Sequence, residues 1–207
     1  MPRRYRLGER ATQIKATRDR IVEAAIELFA EVGISQATMR QVGLRADVAP
    51  GTLRNHFPTR RALEEAMIGR LTTEAPLPDT SIFKGADSLE ERVEILLRAA
   101  GTFFDDAGRL YRMWVREPLL ASPWAEAGAA YGTRWAELQQ LALGPLAEDE
   151  DVQTVFRAVL DPPFFNAISG RGRTSEQAGA FIAHLIAPWL AERASGDLRR
   201  RTGTRPI

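Results

Sequence analysis

Residues 38–63, TMRQVGLRADVAPGTLRNHFPTRRAL, place two short helical patterns on either side of a tight polar break. Thr38 is set to cap the first helix, and Gln41, three residues on, completes a capping box. Val42 and Leu44 supply its apolar anchors. Asp47 falls at the break, where Asp tolerates the left-handed backbone of a sharp turn better than most residues. Pro50 suits the first position of a second helix, where a missing N–H removes no hydrogen bond. Two short helices joined this sharply form a helix-turn-helix, a unit whose second helix enters the major groove of duplex DNA.

The rest of the chain reads as helix. Ile21, Ala25, Leu28 and Val32 mark one face of a helix over 17–32 that ends at Gly33. Thr59 is placed to cap a fourth helix carrying Leu63, Met67 and Leu71 on one face. The stretch APLPD at 75–79 interrupts the pattern and is the expected domain boundary. Further helices are expected near 87–106, 109–120, 123–143, 150–160 and 174–194, with no β-alternation and no internal repeat. The expectation is an all-α protein in four parts. These are a flexible basic arm at 1–16, a three-helix helix-turn-helix domain at 17–58, a connecting helix at 59–73, and a second helical domain at 74–207.

Charge is divided unevenly along the chain. Residues 1–70 hold thirteen Lys/Arg against eight Asp/Glu, while 71–207 hold fifteen against nineteen, so a net charge of +1 conceals a basic N-terminal third. Beside a helix-turn-helix, that balance favours phosphate binding at this end. Cysteine is absent, which removes disulfides and thiolate metal sites and is compatible with a reducing cytoplasm, the expected location. No run of about eighteen apolar residues occurs, so no conventional membrane span is expected. The N-terminus lacks the apolar stretch of a secretory signal.

Catalysis finds no footing in the sequence. The two histidines, His56 and His184, are far apart in the chain, and H-E-x-x-H, a glycine-rich phosphate loop and a G-x-S-x-G elbow are all absent. No enzyme activity, cofactor or metal is expected. The competing reading is an all-helical small-molecule-binding protein or enzyme with a non-functional helix-turn-helix; salt-dependent duplex binding separates the two.

The chain resembles the tetracycline-repressor (TetR) family of bacterial transcriptional regulators. The likeness begins with RIVEAA at 20–25 and LFAEVG at 28–33. It runs through Gly51-Thr52-Leu53 and His56-Phe57 to Arg60 and Leu63, where family members read G-[TS]-[LIV]-Y-x-[YH]-F-x-x-K-x-x-L. Three residues depart from the family pattern: Arg54 replaces the tyrosine, Asp47 the turn glycine, and Ala49 the serine that caps the recognition helix. Losing that cap costs on the order of 1 kcal/mol unless another acceptor substitutes. The resemblance implies a homodimer that represses from a pseudo-palindromic operator and is released by a small, largely apolar effector.

DNA-facing roles follow residue by residue. The recognition helix spans 50–56 and opens with Pro50, Gly51 and Thr52. Gly51 would let the backbone approach the duplex closely, and the Thr52 hydroxyl and methyl suit a phosphate or a thymine methyl. Leu53 is expected to point inward against Leu28, Val42 and Phe57, leaving Arg54 and Asn55 outward. Asn pairs bidentately with adenine, and Arg takes guanine or a phosphate. Thr38 and Arg40 sit where the N-terminus of the preceding helix favours an anion. Arg60 stands where the family usually carries a phosphate-binding lysine. His56 stands where the family often has a Tyr or His on a phosphate, and a packed or merely exposed histidine is an equal reading. Arg3, Arg4, Arg6 and Arg10 are open to two readings, a minor-groove arm or a solvated tail.

For the second domain the resemblance implies an effector pocket and a dimer surface. Phe103, Phe104, Tyr111, Met113, Trp114, Trp124, Tyr131 and Trp135 concentrate the aromatic mass there. Such a cluster is either plain core or the wall of a cavity. Phe103, Tyr111, Trp114, Tyr131 and Trp135 are the candidate effector contacts. Arg112, Arg116 and Arg134 face either an anionic ligand or solvent. Phe181, Ile182, Leu185, Ile186, Trp189 and Leu190 form an apolar band wider than one neighbouring helix covers. By the resemblance, Phe181, Leu185 and Trp189 are dimer contacts. The expected partners are thus double-stranded DNA, a second copy of the chain and a small-molecule effector, with no membrane.

Overall fold

The computed structural model describes residues 3–109, 122–170 and 172–202; the helix expected over 109–120, with Tyr111, Arg112, Met113, Trp114 and Arg116, lies outside them. Among the described residues every regular element is helical. In chain order these are α1 (Arg3–Val32), α2 (Met39–Arg45), α3 (Pro50–His56), α4 (Arg60–Glu74), α5 (Leu89–Asp106), α6 (Pro123–Leu143), α7 (Glu150–Val159), α8 (Pro162–Ser169) and α9 (Ser175–Thr202). Short 3-10 turns occupy Thr80–Phe83 and Gly144–Glu148. No helix among the described residues is long and apolar enough to cross a membrane.

The chain divides into two compact units, Met1–Ala75 with Ala107–Ala130, and Pro76–Asp106 with Tyr131–Ile207. The sequence reading gave all of 74–207 to one domain, whereas the structure lends Ala107–Ala130, including Trp124, to the first unit. A helix's own pattern shows that it has a buried face but not which core that face joins.

In the first unit, Ile21, Val22, Ala25, Ile26, Leu28 and Phe29 of α1 are buried with Leu63, Met67 and Leu71 of α4. Two expectations for α1 are corrected. The helix starts at Arg3 rather than near residue 17. Glu9, Ala11, Gln13 and Lys15 are good helix formers, and a helix nucleated over a packed segment extends through them without burying anything. The missing apolar stripe therefore marked an exposed helix, and residues 9–16 are indeed exposed. Val32 is 40% exposed, because the chain turns away at Gly33, whose φ of 93° stops the helix in the left-handed region.

The second unit is organised by α5 and α9. Val93, Leu96, Leu97 and Ala100 share a buried cluster with Ala178, Ile182, Ala183, Ile186 and Leu190, and with Phe156 of α7 and Phe165 of α8. Asp149 caps α7, accepting from the Asp151 and Val152 amides at 2.9 and 3.2 Å. Those amide hydrogen bonds hold its carboxyl below the usual range, with further help from Arg193. Helix α8 is not apparent from periodicity, since Pro162 and Pro163 read as a break; both occupy the first turn, where proline is tolerated. Pro188 lies inside α9 at an exposed position, where the hydrogen bond it cannot make faces water.

Candidate nucleic-acid interface

Local chemistry fixes the turn between α2 and α3. The Thr38 hydroxyl accepts from the Gln41 amide at 3.3 Å, and Gln41 Oε1 accepts from the Thr38 amide at 2.9 Å, which closes the capping box. Asp47 takes a φ of 50°, and the Val48 amide then donates to the Gly43 carbonyl at 3.0 Å. Pro50 opens α3, and Ala49 before it provides no side-chain cap. Val42, Leu53 and Phe57 are buried with Leu28. Leu44 is not an anchor, being 72% exposed. In a two-turn helix Val42 and Ala46 share the inward face at i, i+4, which carries the residue between them to the opposite side.

Thr38, Arg40, Pro50, Gly51, Arg54 and Asn55 are exposed, and Thr52 and His56 are half-buried. A Cβ on Gly51 would meet nothing within 4 Å, so nothing within the described fold requires glycine there. The guanidinium groups divide into two sets. Arg45 pairs with Glu31 of α1 at 2.5 Å, and that hydrogen bond holds the Glu31 carboxyl below its usual range. Arg61 pairs with Glu65 at 2.8 Å and Glu126 at 3.0 Å. Arg40 and Arg54 have no ion-pair partner among the described residues.

Arg60 has a task the sequence did not suggest. Its Nε donates to Glu64 Oε1 at 2.7 Å, its two Nη groups donate to the carbonyls of Ile34 and Ala37, and its plane lies 5.0 Å from the Phe29 ring centroid. Glu64 is 5% exposed, so Arg60 also neutralises a buried carboxylate. The two carbonyls belong to the loop that enters α2, so the guanidinium ties α4 to the segment that leads into Thr38. Arg60→Lys is expected to cost about 1–2 kcal/mol in chemical denaturation, since an ammonium cannot reproduce the fork and each lost hydrogen bond is worth about 1 kcal/mol. The salt dependence of duplex binding should keep its slope. A stability equal to the parent's would show that the fork is dispensable.

In the second unit, Phe103, Tyr131 and Trp135 come together. Ring centroids are 5.8 Å apart for Phe103–Tyr131 and 5.4 Å for Phe103–Trp135. Phe104 continues the cluster to Phe165 at 5.1 Å, a member that the aromatic pattern of the middle helices did not reveal. Burial pushes the Tyr131 phenol above its ordinary pKa. Arg134 is engaged by Glu137 at 3.0 Å and Asp79 at 3.4 Å. The apolar band of α9 splits in two. Ile182, Ile186 and Leu190 turn into the core, while Phe181 and Leu185 are 39% and 60% exposed and Trp189 is half-buried. His184 is exposed.

A capped helix pair with an aspartate-built turn, presenting an asparagine and two arginines that have no ion-pair partner among the described residues, is the arrangement of a helix-turn-helix. Residues 21–67 match the family described as bacterial regulatory proteins, tetR family. The HTH-type transcriptional regulator UidR of Escherichia coli (strain K12) is 40% identical over 57 residues, which are 28% of this chain and 29% of UidR. The chain thus matches under a third of that regulator's length. The HTH-type transcriptional repressor KstR of Mycolicibacterium smegmatis is 26% identical over 196 residues, covering 89% of this chain and 82% of KstR. A crystal structure of a HlyIIR mutant protein, 15% identical, shares the fold with a TM-score of 0.60 over 81% of this chain and 97% of that one. Over residues 21–67 the chain is thus similar to the tetR family of bacterial regulatory proteins.

Proposed function

We propose that the protein is a homodimeric repressor that reads a pseudo-palindromic operator and is released from it by a small, largely apolar effector. The observation that carries the DNA-binding part is the outward set around α2 and α3, where Arg40 and Arg54 lack ion-pair partners among the described residues while neighbouring arginines are engaged. In this reading Thr38 and Arg40 hold phosphates, Thr52, Arg54 and Asn55 address phosphate or base edges, and Pro50 and Gly51 admit the backbone to the groove. His56 lies on the edge of that surface. A two-fold dimer presents two recognition helices, so half-site centres should lie about 34–36 Å apart or at a multiple. Selection of duplexes from a random library tests this directly: recovered sites should be inverted repeats, and recovery of no preferred sequence would refute it.

Dimerisation is assigned to Phe181, Leu185 and Trp189, because this apolar stripe at i, i+4, i+8 leaves Phe181 and Leu185 exposed and Trp189 only half-buried. Leu185→Asp should yield monomers by sedimentation, since the interface would bury an unpaired charge. Leu185 is exposed in the single chain, so the monomer should stay folded. A variant dimer as tight as the parent would reject this interface.

The effector is assigned to the cluster of Phe103, Tyr131 and Trp135, with Tyr111 and Trp114 as further candidates by sequence. A ligand that lowers operator affinity must bind the operator complex more weakly by the same factor. In a screen of hydrophobic compounds, Trp135→Ala should blunt operator release without weakening DNA binding itself. Release that persists unchanged would place the effector elsewhere.

A further inference from the structure

An open groove of about 570 Å³ lies between α2 and α3 within the helix-turn-helix itself. That is the size of a small-molecule site, commonly about 300–1,000 Å³. Its wall is apolar, including Leu44, Val48, Leu53 and Phe57, and Arg40 and Arg54 also line it. Three features bear on its occupant. Leu44 is 72% exposed, so it presents a large aliphatic side chain that the fold does not bury. Arg40 and Arg54 have no ion-pair partner among the described residues. Arg60, the third guanidinium lining the groove, is committed to Glu64, Ile34 and Ala37 and leaves the other two as its available cations.

An apolar wall bordered by two uncompensated cations is complementary to a molecule with an aliphatic body and one anionic head. A neutral hydrocarbon would leave the arginines unanswered, and an inorganic anion would leave the wall wet. We propose that this groove binds a small amphipathic anion, an aliphatic carboxylate, with its head at Arg40 and Arg54 and its chain along Leu44 and Val48. The head then occupies the two arginines assigned to the duplex, so carboxylate and DNA exclude one another. This second consequence rests on the DNA-docking reading above; binding of the carboxylate does not. Such a site would release DNA by direct competition, with no signal from the aromatic cluster.

The test uses the full chain labelled with 13C at its methionine methyls. There are four methionines; Met39 lines the groove, while Met67 is fully buried in the core. Decanoate should shift the Met39 methyl resonance saturably and leave Met67 in place, and uncharged 1-decanol should bind at least tenfold more weakly. Leu44→Asn, at an exposed position, should weaken decanoate binding by roughly four- to fifteenfold, the equivalent of one or two methylene contacts. A Met39 signal unmoved at high decanoate, or equal binding of the alcohol, overturns the site. In a second arm, the apparent duplex Kd should rise with free decanoate without limit, approaching the square of its concentration because the proposed dimer carries two grooves. A plateau would indicate release from a separate site and overturn the competition. If the duplex fails to bind even without decanoate, the DNA-docking reading falls, while a saturable Met39 shift would still uphold the groove.

Discussion

Gly179→Ala is expected to lower the melting temperature by about 6–12 °C, from a loss of about 3 kcal/mol spread over a chain of this size. The cause is the crossing of α5 and α9. A Cβ built on Gly179 would lie 2.2 Å from the Leu97 carbonyl oxygen and 2.5 Å from its carbon. Gly101 stands in the reciprocal position, 2.2 Å from the Ser175 carbonyl oxygen. Both obstacles are backbone, so no side-chain rotation relieves them. The helix axes must part, by on the order of 1 Å, and the layer of Leu96, Leu97, Ile182 and Ile186 loses dispersion contacts as it opens. Gly196→Ala in the same helix is the control. Its Cβ would meet nothing within 4 Å, so alanine's helix propensity should leave it neutral or up to about 1 kcal/mol more stable. Calorimetric melts of the two variants decide the matter: a Gly179→Ala protein that melts with the parent would mean the helices do not approach this closely.

That crossing also shows where sequence reading stops. The capping box of Thr38 and Gln41, the left-handed Asp47, the proline start at Pro50 and the Thr59 cap are all legible, because each is decided within three or four residues of chain. Gly101 and Gly179 are seventy-eight positions apart, and nothing local distinguishes them from Gly196. Leu44 misleads for a related reason: a seven-residue helix has too few turns for its apolar residues to declare a face. Arg60 is legible as a cation at a suggestive position, but its partners at Ile34 and Ala37 come from a loop that only folding brings near. In α9 the sequence shows too many apolar residues for one neighbour. Only packing against α5 separates Ile182, Ile186 and Leu190, which are buried there, from Phe181 and Leu185, which are not.

The double variant Arg40→Ala/Arg54→Ala is expected to flatten the salt dependence of operator binding more than any other pair of changes in this chain. Each phosphate contact releases condensed counterions and contributes about 0.9 to the slope of log K against log salt. Two cations per subunit give four in the proposed dimer, so the slope should become shallower by about 3–4, removing about 100-fold of the affinity change between 50 and 200 mM salt. The fold should be untouched, because both side chains are exposed and neither is held in an ion pair among the described residues. Arg45→Ala is the informative contrast: its guanidinium is tied to Glu31 at 2.5 Å, so its loss should change the slope little. The single variants then separate position from specificity. If Arg54 holds a phosphate, its loss weakens all duplexes alike; if it pairs with guanine, preference relaxes at one base position and costs about 1–3 kcal/mol there. A double variant with the parental slope would mean that phosphates are met elsewhere on the chain, and the docking of α2 and α3 would have to be abandoned.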